Sequence, residues 1–201
     1  MNDLISDYLT ADPEMVQMMN ALQINAPYAW GTDKATRHNY TAVFAQLLAP
    51  YRNKDCRLLE IGTLGGGSAV LWRNYLPNAW LDLVDRKQRL VPKNLERLER
   101  FAFHELDAYC SETVRKFKAE DQYDIIIDDG SHRLVDLVYV AKHYYPLLAP
   151  GGVLILEDIP DERLLPDLAD LFTPEQQKGI RVFDMRESGR FDDLIWSIQR
   201  H

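Results

Sequence analysis

The chain has 201 residues, 46% of them hydrophobic, enough for one α/β domain with a full core. Its formal charge of −8 leaves no positive field to gather nucleic acid or anionic lipid, although an acidic protein still binds a cationic cofactor or a metal. Two cysteines without CxxC spacing (Cys56 and Cys110), an acidic start "MNDLISDYLT" without a signal pattern, and no apolar run near ~20 residues point to a soluble, cytoplasmic protein.

No repeat, low-complexity tract or linker divides the chain, so residues 1–201 read as a single domain, a helical lead-in (1–55) followed by a core (56–201). In "GTDKATRHNYTAVFAQLLAPY" (31–51), Tyr40, Val43, Phe44, Leu47 and Leu48 recur at helical spacing. Thr32 or Asp33 is placed to cap that helix, and Pro50 lies just past its end. Lys34 and His38 then share one face at i, i+4, which reads at least as well as an exposed polar face as a functional one; Tyr40 reads as core.

Strands and helices alternate from there. "CRLLEIG" (56–62), "WLDLVD" (80–85), "AFHELD" (102–107), "YDIIIDD" (123–129) and "GGVLILEDI" (151–159) read as strands. Between them, 68–76, 91–101, 111–120 and 134–148 read as helices. The pattern predicts an α/β fold, a doubly wound Rossmann-like sheet, mostly parallel with helices on both faces. "IRVFDMR" (180–186) and "DLIWSIQ" (193–199), joined by a tight turn carrying Gly189, predict an antiparallel hairpin at the sheet's edge.

In such a sheet, ligands bind beyond the carboxyl ends of the strands. Five strand tips carry polar groups here: Glu60 with Gly62, Asp85, Asp107, Asp128-Asp129 and Glu157-Asp158. "LEIGTLGGGSAVLW" (59–72) adds a strand, a glycine turn and a helix start, a combination suited to close backbone approach by a ligand. It departs from the dinucleotide pattern G-x-G-x-x-G, while Asp85 stands 23 residues after Gly62, near the ~20-residue offset of a ribose-binding acid. Nicotinamide and adenosyl cofactors both satisfy that spacing. Glu60 favours the adenosyl one, because a carboxylate beneath the loop repels a pyrophosphate but serves an ammonium or sulfonium group.

Together "LEIGTLGGGSAVL", "LVD", "YDIIIDDGSH" and "LLAPGGVLILEDI" resemble class I S-adenosylmethionine-dependent methyltransferases. More narrowly they resemble metal-dependent small-molecule O-methyltransferases of the catechol and macrolide-sugar (mycinamicin, macrocin) types. "GTDKATRHNY" (31–40) is similar to the lead-in of the antibiotic-sugar group and of cephalosporin hydroxylase-like proteins. The resemblance implies that Gly62, Thr63 and Ser68 line the methionine end of the cofactor, that Asp85 binds the ribose, and that Asp107 and Ala108 meet the adenine edge. It also implies that Thr32 and Lys34 close over the cofactor.

Tips of adjacent parallel strands lie ~4.8 Å apart, so Asp129, Glu157 and Asp158 can converge on one ion if their strands are neighbours. Three oxygen ligands with open positions suit Mg²⁺, and the resemblance implies the same arrangement. Side-chain alternation assigns Asp129 to the metal and Asp128 to the cofactor's ammonium group, though which aspartate is the ligand stays open. His132, three residues on, is suited to take the proton of a hydroxyl made acidic by the ion. The bland alternative is that Asp129 and Ser131 cap the next helix and His132 packs at its start. His104, His143 and His201 read as structural or solvated, and Trp30, Trp72 and Trp80 as core.

The expected function is therefore Mg²⁺-dependent O-methylation of a hydroxyl on a sugar-containing or phenolic small molecule, with S-adenosyl-L-methionine as donor. No nucleic-acid or membrane partner is expected; the fold admits a homo-oligomer. The rivals are a non-catalytic binding or assembly protein with the same fold and, disfavoured by Glu60, an NAD(P)-dependent oxidoreductase.

Overall fold

The computed structural model describes residues 9–28, 30–118 and 122–201. The apolar runs form strands β1 (Arg57–Ile61), β2 (Trp80–Asp85), β3 (Phe101–Glu105), β4 (Tyr123–Asp128), β5 (Leu148–Leu156), β6 (Ile180–Asp184) and β7 (Leu194–Gln199). They pair into one sheet in the order β3-β2-β1-β4-β5-β7-β6. The first five run parallel, and β7 lies antiparallel to both β5 and β6. The expected Rossmann-like sheet with its antiparallel C-terminal pair is thus the fold of this protein.

Eight helices among the described residues surround the sheet: α1 (Pro13–Ala21), α2 (Thr41–Leu48), α3 (Gly67–Tyr75), α4 (Pro92–Leu95), α5 (Ser111–Lys118), α6 (Leu134–Tyr144), α7 (Leu164–Ala169) and α8 (Pro174–Gln177). Side-chain alternation along the buried strands splits the core in two. Leu58, Leu81, Ile125 and Val153 pack with α1, α2 and α3 on one face. Leu59, Val84, Ile126 and Leu154 pack with α5, α6 and α7 on the other. No helix among the described residues is long and apolar enough to cross a membrane.

Several boundaries differ from those expected. Residues 33–37 form a turn closed by the His38 N–H on the Asp33 carbonyl, so the lead-in helix starts only at Thr41. Neither Thr32 nor Asp33 caps it. The reason lies in Lys34 and His38, which are buried (1% and 7% exposed) and reach inward to acidic strand tips instead of lining a solvent-facing helix. The expected 91–101 helix shrinks to the single turn α4: the buried Asn94 side chain donates to the carbonyls of Trp30 and Gly65, and Arg100 turns the chain left-handed (φ +56°) into β3. Residues 119 and 120 of the expected 111–120 helix lie outside the described residues, as do residues 1–8 of the lead-in. The β6–β7 connection is no tight turn: it spans residues 185–193, with a 3₁₀ turn at Arg186–Ser188 and Gly189 at φ +95°. Trp72 is core, whereas Trp30 and Trp80 are exposed at 40% and 39%.

The glycine turn is wedged between two parts of its own chain. A Cβ on Gly62 (φ +87°) would meet the Asp129 carbonyl oxygen at 2.1 Å, and one on Gly67 would meet that of Gly31 at 1.9 Å. Both overlaps lie against backbone, which yields little. Gly67→Ala is therefore expected to destabilise the protein by about 1–3 kcal/mol, the usual cost of overpacking. Hydrogen exchange should show the added opening around residues 31–34; unchanged stability and exchange would contradict this packing.

Candidate active site

Strand order reverses between β1 and β4, whose chains leave toward opposite edges, and a crevice opens at that point beyond the carboxyl ends. It measures about 370 Å³ and is bounded by Ile61, Gly62, Asp85, Ala108, Asp129 and His132, among others. A second recess of about 180 Å³ shares Gly62, Leu64 and Asp129 with it and adds Thr32, Thr63 and Ser68.

Of the ten residues expected to bind a cofactor, Gly62, Asp85 and Ala108 line the crevice, and Thr32, Thr63 and Ser68 join Gly62 in the recess. Asp85 accepts the Leu64 N–H at 3.0 Å and the Lys87 N–H at 3.3 Å, which fixes its carboxylate at the rim. Asp107 lines neither cavity: its carboxylate accepts the Tyr109 N–H (3.0 Å) and its carbonyl the Thr113 hydroxyl (2.7 Å), so it shapes the turn that carries Ala108.

Glu60 near the end of β1 and Asp128 at the end of β4 are fully buried. Glu60 accepts the Trp72 indole N–H at 2.7 Å, and Asp128 accepts the Tyr109 hydroxyl at 3.0 Å. Each keeps one buried oxygen without a partner (Glu60 Oε2, Asp128 Oδ2), as does Thr63 at Oγ1. Burial pushes both carboxyls up to about 7. Orphaned acceptors of this kind fit a ligand that brings N–H donors and positive charge, such as the amino group of an adenosylmethionine.

Lys34 is the largest departure. It does not line the crevice; its ammonium lies 2.8 Å from Asp129 Oδ2 and 2.8 and 2.7 Å from Glu157 Oε1 and Oε2. Burial alone would lower its pKa, but the Asp129 and Glu157 carboxylates more than offset that and hold it well above the ordinary lysine range. Asp158 Oδ1 accepts the Tyr40 hydroxyl at 2.5 Å, and His38 Nδ1 pairs with Asp193 Oδ1 at 2.6 Å just behind. Burial, then Asp129, pushes the Asp158 carboxyl up.

The remaining oxygens of the two aspartates face His132: Asp129 Oδ1 lies 3.8 Å and Asp158 Oδ2 3.9 Å from its Nε2. Asp129, His132 and Asp158 thus offer three donor atoms within 4.8 Å of one another, a set able to hold a divalent ion. The strands of Asp129 and Asp158 are neighbours, as the expectation required. Leu64, His132 and Asp158 have left-handed backbones (φ +47°, +52° and +52°), so strain is concentrated at the site. Tyr40 is core as expected, yet its hydroxyl serves the site. Asp193 carries no signal in the sequence, since only the fold of β7 brings it near Asp158.

The crevice and sheet define the fold of a class I methyltransferase, and comparison with known proteins agrees. No protein-family model matches the chain. By sequence it is 32% identical, over 64% of its length, to the 8-demethyl-8-alpha-L-rhamnosyl tetracenomycin-C 2'-O-methyltransferase of Streptomyces olivaceus. It is 28% identical over 61% of its length to the mycinamicin VI 2''-O-methyltransferase of Micromonospora griseorubida. These matches cover 35% and 32% of the relatives, so the chain spans about a third of the length of the curated relatives it matches. Among solved structures, the MycE methyltransferase of the mycinamycin pathway, in complex with Mg, SAH and mycinamycin VI, superposes with a TM-score of 0.71 at 20% identity. That match covers 94% of this chain and 55% of MycE. The family resemblance read from the motifs is therefore to the same O-methyltransferases that sequence and fold retrieve.

The burial of Glu60 can be tested through its effect on stability. A carboxyl whose pKa rises on folding costs stability as pH climbs from its unfolded value, near 4.5, until the folded value near 7 is passed. Glu60→Gln, which keeps an acceptor for Trp72, should match wild-type stability at pH 4. Above pH 7 it should be more stable by roughly 3 kcal/mol in the absence of ligand. Denaturant titrations across that range measure the difference, and a gap that does not widen with pH would contradict the buried-acid assignment.

Proposed function

We propose that the protein is an S-adenosylmethionine-dependent O-methyltransferase that modifies a hydroxyl of a sugar-containing or phenolic small molecule with the help of Mg²⁺. The observation that carries it is that one crevice joins Gly62 of the glycine turn and the Asp85 carboxylate to the Asp129–His132–Asp158 donor set. The names of the relatives and the Mg and SAH in the MycE complex support it. In this assignment residues 1–201 work as one cytoplasmic methyltransferase domain, a 1–55 lead-in that contributes Thr32 and Lys34 to the site of the 56–201 core.

Asp85 takes the ribose hydroxyls, Asp107 shapes the adenine turn that ends in Ala108, and Gly62, Thr63, Ser68 and Thr32 surround the methionine end. Glu60 and Asp128 neutralise its ammonium group. Bound S-adenosylmethionine supplies an electrophilic sulfonium methyl. The Asp129, Glu157 and Asp158 carboxylates would hold Mg²⁺, which when bound would supply a Lewis acid for the acceptor hydroxyl. His132 Nε2, one-third exposed and facing the crevice, would take the proton of the acceptor hydroxyl, whose oxygen would gain the methyl as the S–CH₃ bond breaks and S-adenosylhomocysteine leaves.

His132→Ala is expected to lower the methyl-transfer rate about 10²–10⁴-fold while S-adenosylhomocysteine affinity stays unchanged. Assay with a glycosylated or catecholic acceptor, with and without EDTA, measures this; full activity in the variant, or with EDTA, would remove the corresponding role. Asp85→Ala should weaken cofactor binding about tenfold or more by calorimetry, the loss of a charge-assisted hydrogen-bond pair. Unchanged affinity would refute the ribose assignment.

A further inference from the structure

We propose that Tyr109 is a positioning residue of the reaction: its hydroxyl holds the backbone at Ser131 and thereby aims His132 at the crevice. The inference rests on the base role given to His132 above and names the group that keeps that base in place.

A histidine that takes a proton at one ring nitrogen is ordinarily oriented by a hydrogen bond at the other. His132 has no such bond: among the described residues its Nδ1 is buried without a partner. Asp129 Oδ1 and Asp158 Oδ2 stand 3.8 and 3.9 Å from Nε2, beyond hydrogen-bond reach. The ring therefore takes its direction from the backbone that carries it. That backbone is left-handed at His132 (φ +52°), a conformation that a non-glycine residue keeps only where its neighbours enforce it.

Ser131, the residue before it, is held at two atoms. Its hydroxyl donates to Asp136 Oδ2 of α6 at 2.6 Å, a local tie, while its N–H donates to the Tyr109 hydroxyl at 2.9 Å across 22 residues. Tyr109 belongs to the turn after β3, beside Ala108, and is itself fixed there. Its N–H donates to Asp107 Oδ1 at 3.0 Å, its hydroxyl donates to Asp128 Oδ1 at 3.0 Å, and the Arg86 guanidinium lies 5.6 Å from its ring centroid. One hydroxyl thus accepts from the loop of His132 and donates to the tip of β4, using both of its capacities. The loop passes so near it that a Cβ on Gly130 would meet the hydroxyl oxygen at 2.1 Å. Tyr109 therefore fastens the base loop to the turn of the cofactor half, and both line the same crevice.

Tyr109→Phe keeps the ring and removes the hydroxyl alone. In the ligand-free protein it is expected to speed amide exchange at Ser131, followed by nuclear magnetic resonance, about tenfold; unchanged exchange would overturn the proposal. Single-turnover methyl transfer to the acceptor of the preceding assay is then compared in wild type, Tyr109→Phe, His132→Ala and the double variant. Because the hydroxyl acts through His132, its loss should slow transfer about 10–100-fold in wild type, but less than about twofold where His132 is already alanine. An equal loss in both backgrounds would overturn the proposal, since the hydroxyl would then serve the cofactor through Asp128. Should Tyr109→Phe fail to fold, Gly130→Ala, which pushes the loop off an intact hydroxyl, gives the same comparison. An inactive wild type, or full activity in His132→Ala, would overturn the proposal as well, and is distinguished by appearing before Tyr109 is altered, as a failure of the methyl-transfer or base reading itself.

Discussion

The contact of the Lys34 ammonium with Asp129 and Glu157 joins parts of the chain 95 and 123 residues apart, and much of the site's geometry depends on it. Carboxylates at the tips of β4 and β5 stand side by side because their strands pair in register, Asp128 opposite Leu156. Such neighbours repel in a buried setting unless a positive charge lies between them. The lysine supplies it, and loss of one partner of a buried pair of this kind typically costs about 3–5 kcal/mol. The same contact draws residues 31–40 down over the glycine turn, where Gly67 is bare enough to accept the Gly31 backbone.

Around that pair, the site divides by solvation. Glu60 and Asp128 are buried, each with one oxygen unpaired, whereas Asp129, Asp158 and His132 look into the open crevice. A single turn of chain after β4 accomplishes the change, since successive residues of an extended strand point to opposite sides. Asp128 turns toward Tyr109 and Asp129 toward Lys34. The left-handed backbones of His132 and Asp158 then aim both residues at the same space, a local strain held by the rigid sheet on either side.

What could be read from the sequence was whatever a short run encodes. The seven strands announce themselves through apolar runs, and the polar tips follow because each strand ends where its apolar run does. The crevice residues Gly62, Asp85, Asp129 and His132 were legible for that reason. Lys34 and His38 were not: their i, i+4 spacing mimics a polar helix face, and only the tertiary pull of Asp129, Glu157 and Asp193 turns the segment from helix to buried turn. Asp193 was silent, because nothing near "FDDL" indicates that β7 will insert between β5 and β6. Local spacing extends α4 beyond its single turn, but the buried Asn94 side chain overrides it.

The pairing of His38 with Asp193 has a consequence for how the protein is made. The bond closes a span of 155 residues, running from before the first strand to the start of the last. During synthesis the first five strands can find one another while the ribosome is still at work, but β7 enters between β5 and β6 only after both exist. Until then the Asp158 side of the crevice has Tyr40 and His38 on one flank and nothing from the final strand on the other. The cofactor half is complete early and the acidic half late, so a nascent chain acquires the means to hold a ligand before it acquires the full surroundings of its acid cluster.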